Sequence, residues 1–377
     1  MKEQITFEEL YEAYELCLKN KKRKKGTYRF TNDKLCENLF ELLNKLNSRK
    51  YIPSPSNCYV ITDPALREIY AAQFEDRIVQ HFYMNEINNI LEKELVNGCC
   101  SCRKGRGTDY ALRLLKRFLK ETSHNGKDQC FFLKIDLSGY FMSIDRKQIS
   151  EKFSSLILNK YKGKHKDLLL YLTPIIFENN PALNCNYKCN ENVRKKVPDR
   201  RKMNPNSNYG MAIGNLTAQA ASNLNLSNFD SYVVNELNLK NYVRYVDDIV
   251  IVSNNKNKLV KSLPFMMKKL EETHQAINKK KTKIDTAYHG VHFLGKVSYP
   301  YGYQKPSKHV VIRVCQKAKT IRYTDKENLL AKTNSQVGTL KNYNCRKLVL
   351  NYVDLLPSEV KDILEFDKFQ NKFKIRS

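Results

Sequence analysis

Two adjacent carboxylates, Asp247 and Asp248, stand between two short runs rich in valine, isoleucine and tyrosine. The flanking runs have the composition and length of β-strands, so the acids fall where a hairpin would turn. Neighbouring carboxylates repel each other unless cations neutralise them, and Mg²⁺ prefers oxygen ligands. The pair is therefore either half of a metal site or an ordinary turn, since aspartate is common in turns.

A third carboxylate ends another strand-like segment. Residues 130–136 alternate like a buried strand and end in Asp136, and Phe141 follows shortly after. Asp136 could hold a metal while Phe141 walls a sugar pocket beneath it. The alternative is an N-cap aspartate and a core phenylalanine, and each of these is individually the commoner arrangement.

Basic and glycine-containing segments add candidates for anion binding. Residues 97–108 combine glycines with three cations and lead into a helix, although the spacing of a Walker A loop is missing. Arg67 lies near the end of an extended piece and could face a phosphate, but for a single arginine taken alone a surface ion pair is the better explanation. Small residues in 210–219 open a helix on which a flat ligand such as a base pair could pack.

Charge and length limit the function classes. The chain has 377 residues, and 66 Lys plus Arg against 39 Asp plus Glu give a net charge of +27. So large an excess indicates a polyanionic partner, most simply nucleic acid. The sequence contains neither a signal peptide nor an apolar run long enough for a membrane span, so we expect a cytoplasmic location. The 11 cysteines lack paired zinc-site spacing and are expected to be reduced structural thiols.

The elements that position these residues can be outlined from periodicity. Residues 5–47 carry helical patterning interrupted by a basic run at 19–25, and helices are also expected near 74–81 and 258–275. A strand is expected at 58–61, followed by a turn at 62–64. Residues 158–208 are polar and basic, and we expect an irregular segment there with a mobile loop at 184–208.

In this order, the segments resemble the conserved blocks of a reverse transcriptase, across roughly residues 50–300. One such motif could arise by chance, but the ordered series is specific. The blocks are Leu66-Arg67-Glu68-Ile69 with Asp76-Arg77-Ile78-Val79 in the fingers, Ser101-Cys102-Arg103-Lys104-Gly105-Arg106-Gly107 in a second fingers block, Ile135-Asp136 to Ile144 as motif A, Ile213-Gly214-Asn215 as motif B, Tyr245-Val246-Asp247-Asp248 as motif C, Lys281-Thr282 as motif D, and Phe293-Leu294-Gly295 as the primer grip.

The resemblance implies an α+β fold of the right-hand polymerase type, with an antiparallel palm sheet flanked by helices. We expect N-terminal helices and fingers in residues 1–130, a palm in 131–300 with a basic fingers-side insertion at about 158–208, and a thumb in 301–377. The activity implied is RNA-directed DNA polymerisation by two-metal nucleotidyl transfer, with Mg²⁺ or a Mn²⁺ substitute.

The same resemblance assigns roles to individual residues. The catalytic acids are Asp136, Asp247 and Asp248, and together with Leu137 they form the metal set. The expected dNTP contacts are Arg67, Leu137, Phe141, Ile213, Gly214 and Lys281, with Phe141 as the gate that excludes a ribose 2′-hydroxyl. The expected nucleic-acid contacts are Arg103, Lys104, Arg106, Tyr245, Phe293, Leu294 and Gly295.

Motif B favours one subfamily, the reverse transcriptases of diversity-generating retroelements. Most reverse transcriptases have Gln before Gly214, whereas residues 213–219 here read Ile-Gly-Asn-Leu-Thr-Ala-Gln, with Ala218 in place of the subfamily's serine. This subfamily implies error-prone copying of template RNA, mainly at adenines, and a small basic oligomeric accessory protein. The alternatives are a group II intron-like or retron-type enzyme and a catalytically inactive RNA-binding polymerase fold.

Overall fold

The computed structural model describes residues 4–19, 25–32, 34–62, 65–323, 325–341 and 346–376. Most of the basic run at 19–25 and most of the turn expected at 62–64 lie outside these residues.

Helices outnumber strands along the first part of the chain. They are α1 (Phe7–Leu18), α2 (Lys25–Asn32), α3 (Leu35–Asn47), β1 (Ser56–Ile61), β2 (Arg67–Ala71), α4 (Phe74–Glu94), α5 (Thr108–Thr122), β3 (Phe131–Asp136), α6 (Arg146–Lys160), α7 (Lys166–Phe177), β4 (Cys185–Tyr187) and α8 (Glu191–Lys195). The remainder consists of α9 (Leu216–Asn225), α10 (Ser227–Ser231), β5 (Tyr242–Tyr245), β6 (Asp248–Ser253), α11 (Lys256–Glu271), β7 (Lys283–Thr286), β8 (Val291–Phe293), β9 (Lys296–Ser298), β10 (Gln304–Pro306), α12 (Lys308–Thr320), α13 (Lys326–Lys341), α14 (Arg346–Asp354), α15 (Ser358–Ile363), β11 (Leu364–Asp367) and β12 (Lys372–Ile375).

The palm is an antiparallel four-stranded sheet in the order β5-β6-β3-β7. Its central strands β3 and β6 are largely buried, as strands covered by helices on each side require, and β6 is rich in β-branched residues. One face packs on the large core that includes residues of α4, α6, α9 and α11, and the other packs on a smaller cluster with α5. The predicted right-hand α+β fold with an antiparallel palm sheet is confirmed.

The N-terminal helices form a layer against α4. Their apolar faces bury Leu10, Leu39 and Leu42 in the large core, as the helical pattern of residues 5–47 predicted. Thr6 begins α1 with a capping box, since its side chain accepts from the Glu9 amide while Glu9 accepts from the Thr6 amide. At the start of α4, Asp76 is buried and accepts a 2.7 Å hydrogen bond from the Tyr51 hydroxyl.

The expectation of an irregular segment at 158–208 is wrong. Helix α7 occupies much of its first half and buries Leu168, Leu169 and Leu172, and β4 adds a parallel strand to the fingers sheet β2-β1-β4. Hydrophobic burial by α7 and backbone pairing by β4 therefore order a segment whose overall composition is polar.

The C-terminal region has its own small core. Residues Val314, Leu340, Tyr352 and Phe373 meet there from α12, α13, α14 and β12. It follows the three-stranded sheet β10-β9-β8, so the boundary expected at residue 300 falls inside the β9–β10 hairpin. None of the helices in the described part of the chain is long and apolar enough to cross a lipid bilayer.

Candidate active site

The register of the palm sheet brings the three candidate acids to one end. Asp136 is the last residue of β3 and lies opposite Asp248, the first residue of β6. Asp248 in turn pairs with Tyr245 across the β5–β6 hairpin, whose turn is formed by Val246 and Asp247. Asp136 and Asp248 are distant in sequence but lie close together, because β3 and β6 carry them at the same end of the sheet.

The turn that carries Asp247 has a strained backbone. Val246 has a φ of 58°, a left-handed conformation that β-branched residues rarely adopt. Two hydrogen bonds hold it, because the Val246 amide donates to Ser101 Oγ at 3.1 Å and its carbonyl accepts from Arg244 at 3.1 Å. Neither Ser101 nor Arg244 was predicted as a site residue, although an arginine within a buried strand is an unusual enough feature to mark it.

Arg244 is fully buried beneath the turn, at 0 % exposure. Its guanidinium meets the Asp230 carboxylate of α10 at 2.6, 2.8 and 3.0 Å, and the Tyr242 hydroxyl donates to the same carboxylate at 2.6 Å. Burial opposes the charge, but the facing Asp230 outweighs it and raises the pKa of Arg244 well above its ordinary value. The turn therefore rests on a rigid, charged anchor in the protein interior.

Lysines neutralise two of the three acids. Lys281 lies 3.1 Å from Asp136 Oδ1, and Lys134 lies 3.2 Å from Asp248 Oδ1. Burial raises the pKa of Asp248 to about 6 despite Lys134. Burial also raises the pKa of Asp247, and the neighbouring Asp136 charge adds to the effect. The acids thus form a compact negative centre that favours added positive charge.

A cavity of about 270 Å³ opens over this centre. Asp136 and Asp247 line it, together with Leu137, Phe141 and Ile213. Its cations are Arg67, Arg200, Arg201 and Lys281. The Nε of Arg67 is buried and has no hydrogen-bond partner within the described protein, which marks it as a candidate donor for an anion.

Arg200 and Arg201 were missed by the sequence reasoning. They belong to the segment that was expected to be a mobile loop, yet the structure places them at the cavity wall. Their signal in the sequence is the basic cluster that follows Pro198. The cavity therefore joins two carboxylates to an excess of cations, an arrangement suited to a polyphosphate with bound metal ions.

The donor set fits a hard divalent cation at two of the predicted metal residues. Asp136 and Asp247 both face the cavity with carboxylate oxygens, which Mg²⁺ prefers. Asp248 is turned to Lys134 instead, and within the described residues no cluster of three or more His, Cys, Asp or Glu side chains converges as a metal site. Leu137 is buried and could contribute through its backbone only.

Sequence comparison agrees with this geometry. Residues 62–297, more than half of the chain, match the reverse transcriptase (RNA-dependent DNA polymerase) family. The chain belongs to this family. The members of this family are described as RNA-dependent DNA polymerases.

The solved structures that the chain matches include telomerases. Apo telomerase from Candida tropicalis is 10% identical, with a TM-score of 0.48 over 80% of this chain and 57% of that chain. Telomerase from Candida albicans in complex with a TWJ fragment of telomeric RNA is 12% identical, with a TM-score of 0.45 over 83% and 60% of the two chains. This chain thus spans little more than half the length of these telomerase chains. No curated protein sequence matches it.

The second fingers block of this reverse transcriptase has a partly different role from the one predicted. Arg103 is only 9 % exposed, and its guanidinium binds Glu92 at 2.7–3.1 Å and the carbonyls of Val96 and Cys99 at 2.8 Å. All of its nitrogens are engaged within the protein, so Arg103 is a structural residue rather than a free nucleic-acid contact. Lys104 is exposed, and its role as a nucleic-acid contact stays a prediction.

The remaining predicted contacts are distributed between surface and core. Arg106 is half-buried and stacks on Tyr110, with 5.0 Å from its guanidinium carbon to the ring centre. Tyr245 is half-buried beside Thr108 at the start of α5. In the primer-grip block, Phe293 is a core residue, whereas Leu294 and Gly295 form the left-handed turn between β8 and β9.

Gly214 connects motif B to the fingers. A Cβ at this position would lie 2.7 Å from a side-chain carbon of Ile69 and 2.9 Å from the carbonyl oxygen of Tyr70, so only glycine allows this approach. The Tyr70 amide also donates to the Ile213 carbonyl at 2.9 Å. Gly214 thus packs on β2 and holds its neighbour Ile213 at the cavity.

Proposed function

We propose that this chain copies an RNA template into DNA at the cavity over Asp136 and Asp247. One observation carries the proposal: Asp136 at the end of β3 and Asp247 in the β5–β6 turn share a cavity with Lys281 and with Arg67, whose buried Nε has no partner. A dNTP needs both features, since its triphosphate binds cations and its transfer requires negative ligands for metal ions.

The residues of this chain divide the work as follows. Asp136 and Asp247 would hold a pair of divalent cations, which when bound activate the primer 3′-hydroxyl and stabilise the leaving pyrophosphate. Arg67 and Lys281 bind the triphosphate, and Arg200 and Arg201 add positive charge at the wall. Phe141 supports the sugar and excludes a 2′-hydroxyl by its volume.

The decisive variant is Asp247→Asn, which keeps the side-chain shape and removes the charge. Incorporation of dNTPs on a primed RNA template should fall below detection, because the amide is a poor ligand for Mg²⁺. Binding of the primed template, measured by anisotropy, should survive since other cations supply it. The matched control Asp128→Asn changes an exposed acid and should remain active. Full activity of Asp247→Asn would contradict the assignment.

We propose further that the enzyme belongs to a diversity-generating retroelement and makes errors opposite template adenines. Motif B, with Ile213 before Gly214, supports this subfamily, and the position of Ile213 at the cavity supports a part in nucleotide selection. A branched apolar side chain offers neither donor nor acceptor, so discrimination by hydrogen bonding is weakened. A small basic accessory oligomer and a cytoplasmic location belong to the same proposal.

Substitution of Ile213 tests the error-prone role. Ile213→Gln should lower misincorporation opposite adenine by about fivefold, and less opposite other bases. This factor corresponds to the net free energy of about one hydrogen bond. Both enzymes would copy one RNA template, and the cDNA would be sequenced. Ile213→Val serves as the control because it keeps an apolar branched side chain. An active Gln variant with an unchanged adenine error rate would place the source of error elsewhere.

A further inference from the structure

We propose that a surface formed by α5 and the turn of the β9–β10 hairpin binds a single-stranded segment of template RNA outside the catalytic cavity. This α5–hairpin surface comprises Arg113, Lys116, Arg117, Lys120, Tyr301 and Tyr303. The identity of the RNA as template rests on the proposed function, whereas the binding chemistry rests on the surface alone.

The cations of the surface follow one face of α5. Arg113, Arg117 and Lys120 are exposed and Lys116 is half-buried, at the three- and four-residue spacing that places side chains on one face. They line a groove of about 530 Å³ together with Glu121 and Asn125. Glu121 lies 3.7 Å from Arg117 and offsets one charge, so the groove keeps a clear positive excess.

Three tyrosines stand beside this groove in the hairpin turn. The rings of Tyr299 and Tyr301 are 5.4 Å apart and nearly parallel at 19°, and those of Tyr301 and Tyr303 are 6.5 Å apart at 15°. Tyr301 is 55% exposed and Tyr303 38% exposed. Exposed, nearly parallel rings of this kind are the platforms on which unpaired bases stack.

The hairpin and the helix form one continuous surface. A Cβ at Gly302 would lie 3.0 Å from the Lys120 side chain, so the turn touches the basic face directly. The Ser123 hydroxyl, just after α5, donates to the Pro300 carbonyl at 3.3 Å and fixes the hairpin there. Cations for phosphates and rings for bases are therefore presented side by side.

The position of α5 connects this surface to the catalytic end. Thr108 at its start lies 3.5 Å from the Tyr245 hydroxyl, and Thr122 at its end lies 2.9 Å from Asn241. The helix therefore runs from the catalytic end of β5 towards the opposite end, over about 22 Å. An RNA strand that follows α5 would reach the rings well away from the cavity. Base-paired RNA would present no free base faces to them, so the surface fits a single strand.

Binding of a labelled oligouridylate of about 20 nucleotides to the full chain, without primer or dNTPs, tests the proposal. The double variant Tyr301→Ala, Tyr303→Ala should weaken binding about fivefold or more. Fivefold corresponds to the lower limit of the free energy gained when one base stacks on an aromatic ring. The control Tyr301→Phe, Tyr303→Phe keeps the rings and should bind as the wild type does. A 4-thiouridine in the oligonucleotide should cross-link to the hairpin turn of the wild type.

Charge is tested separately by the triple variant Arg113→Gln, Arg117→Gln, Lys120→Gln. It should reduce the slope of log affinity against log salt by about 2, at about 0.7 per phosphate contact on a single strand. The matched control replaces the exposed Lys256, Lys261 and Lys268 of α11, which packs on the other face of the palm sheet, and should leave the slope unchanged.

The outcomes separate this proposal from its alternatives. Unchanged oligouridylate binding in both sets of variants overturns it and leaves the surface to an acidic protein partner. The same variants are also titrated with an oligothymidylate of equal length. If they lose affinity for oligothymidylate but not for oligouridylate, the surface binds the DNA product and the RNA assignment is overturned. Because no polymerisation is measured, an active Asp247→Asn enzyme would refute the proposed function while leaving this binding result standing.

Discussion

At the residue scale, the active site depends on side chains whose chemistry is set by their neighbours. Asp136, Asp247 and Asp248 are chemically alike, yet only the first two line the cavity, while Asp248 faces Lys134. The same contrast holds among the arginines. The buried guanidinium of Arg103 is paired with Glu92, whereas Arg67 keeps a buried nitrogen without a hydrogen-bond partner in the cavity wall that also holds the acids.

Phe141 gives the clearest single-residue prediction. Its ring lines the cavity and is fixed edge-on to Tyr140, with 5.5 Å between ring centres. If its volume excludes a 2′-hydroxyl, Phe141→Ala should raise the ratio of rNTP to dNTP incorporation by about tenfold or more. Steady-state kinetics on one primed template would measure the ratio.

The control for the sugar gate is Phe141→Tyr, which preserves the ring volume and should preserve the ratio. Should the alanine variant select sugars as the wild type does, Phe141 would be a packing residue only. Its partly buried position against the large core makes that alternative concrete.

At the element scale, the β5–β6 hairpin is held in a strained turn by an anchor below it. Arg244→Met should destabilise the fold by about 3–5 kcal/mol in urea unfolding, because it leaves the Asp230 charge buried without its partner. The double variant Arg244→Met, Asp230→Leu should recover most of that stability, since the unpaired charge is then gone.

Kinetic measurements on the same two variants distinguish a role of Arg244 in stability from a role in positioning the β5–β6 turn. Even the stable double variant lacks the guanidinium that donates to the Val246 carbonyl. Its kcat should therefore remain reduced while KM for dNTP changes little. A double variant with wild-type kcat would mean that Arg244 serves stability alone and that Ser101 suffices to hold the turn.

Much of this element-level architecture was predictable, for local reasons. The strand that ends in Asp136 and the strand that begins with Asp248 are short apolar runs bounded by polar residues, so composition and run length locate them. Helix α7 was not predicted because polar residues surround its apolar run. Strand β4 was not predicted because three residues are too few to show a period of two. The Arg103–Glu92 and Arg244–Asp230 pairs were unpredictable, because partner choice depends on tertiary packing.

At the scale of the whole molecule, charge dominates. A chain with a net charge of +27 that follows a phosphate backbone releases counterions when it binds. Affinity for an RNA–DNA duplex should fall by about a thousandfold or more between roughly 50 and 200 mM salt, if several phosphates are contacted. Titrations at a series of salt concentrations would measure the slope, with sulfate and chloride compared to detect specific anion effects. A flat dependence would locate the excess charge away from nucleic acid.

The strand order β5-β6-β3-β7 also has a consequence for biosynthesis. Both neighbours of β3 are translated after it, so the strand that ends in Asp136 leaves the ribosome with the backbone groups of both edges unpaired. The fingers sheet is delayed in the same way, because β1 waits for β4. The fingers sheet is complete once β4 has been made, whereas β3 waits for β6 and β7, and a nascent chain with open strand edges is exposed to mispairing. The acids first meet when β6 emerges, so a ribosome stalled before that point carries a chain without a catalytic centre.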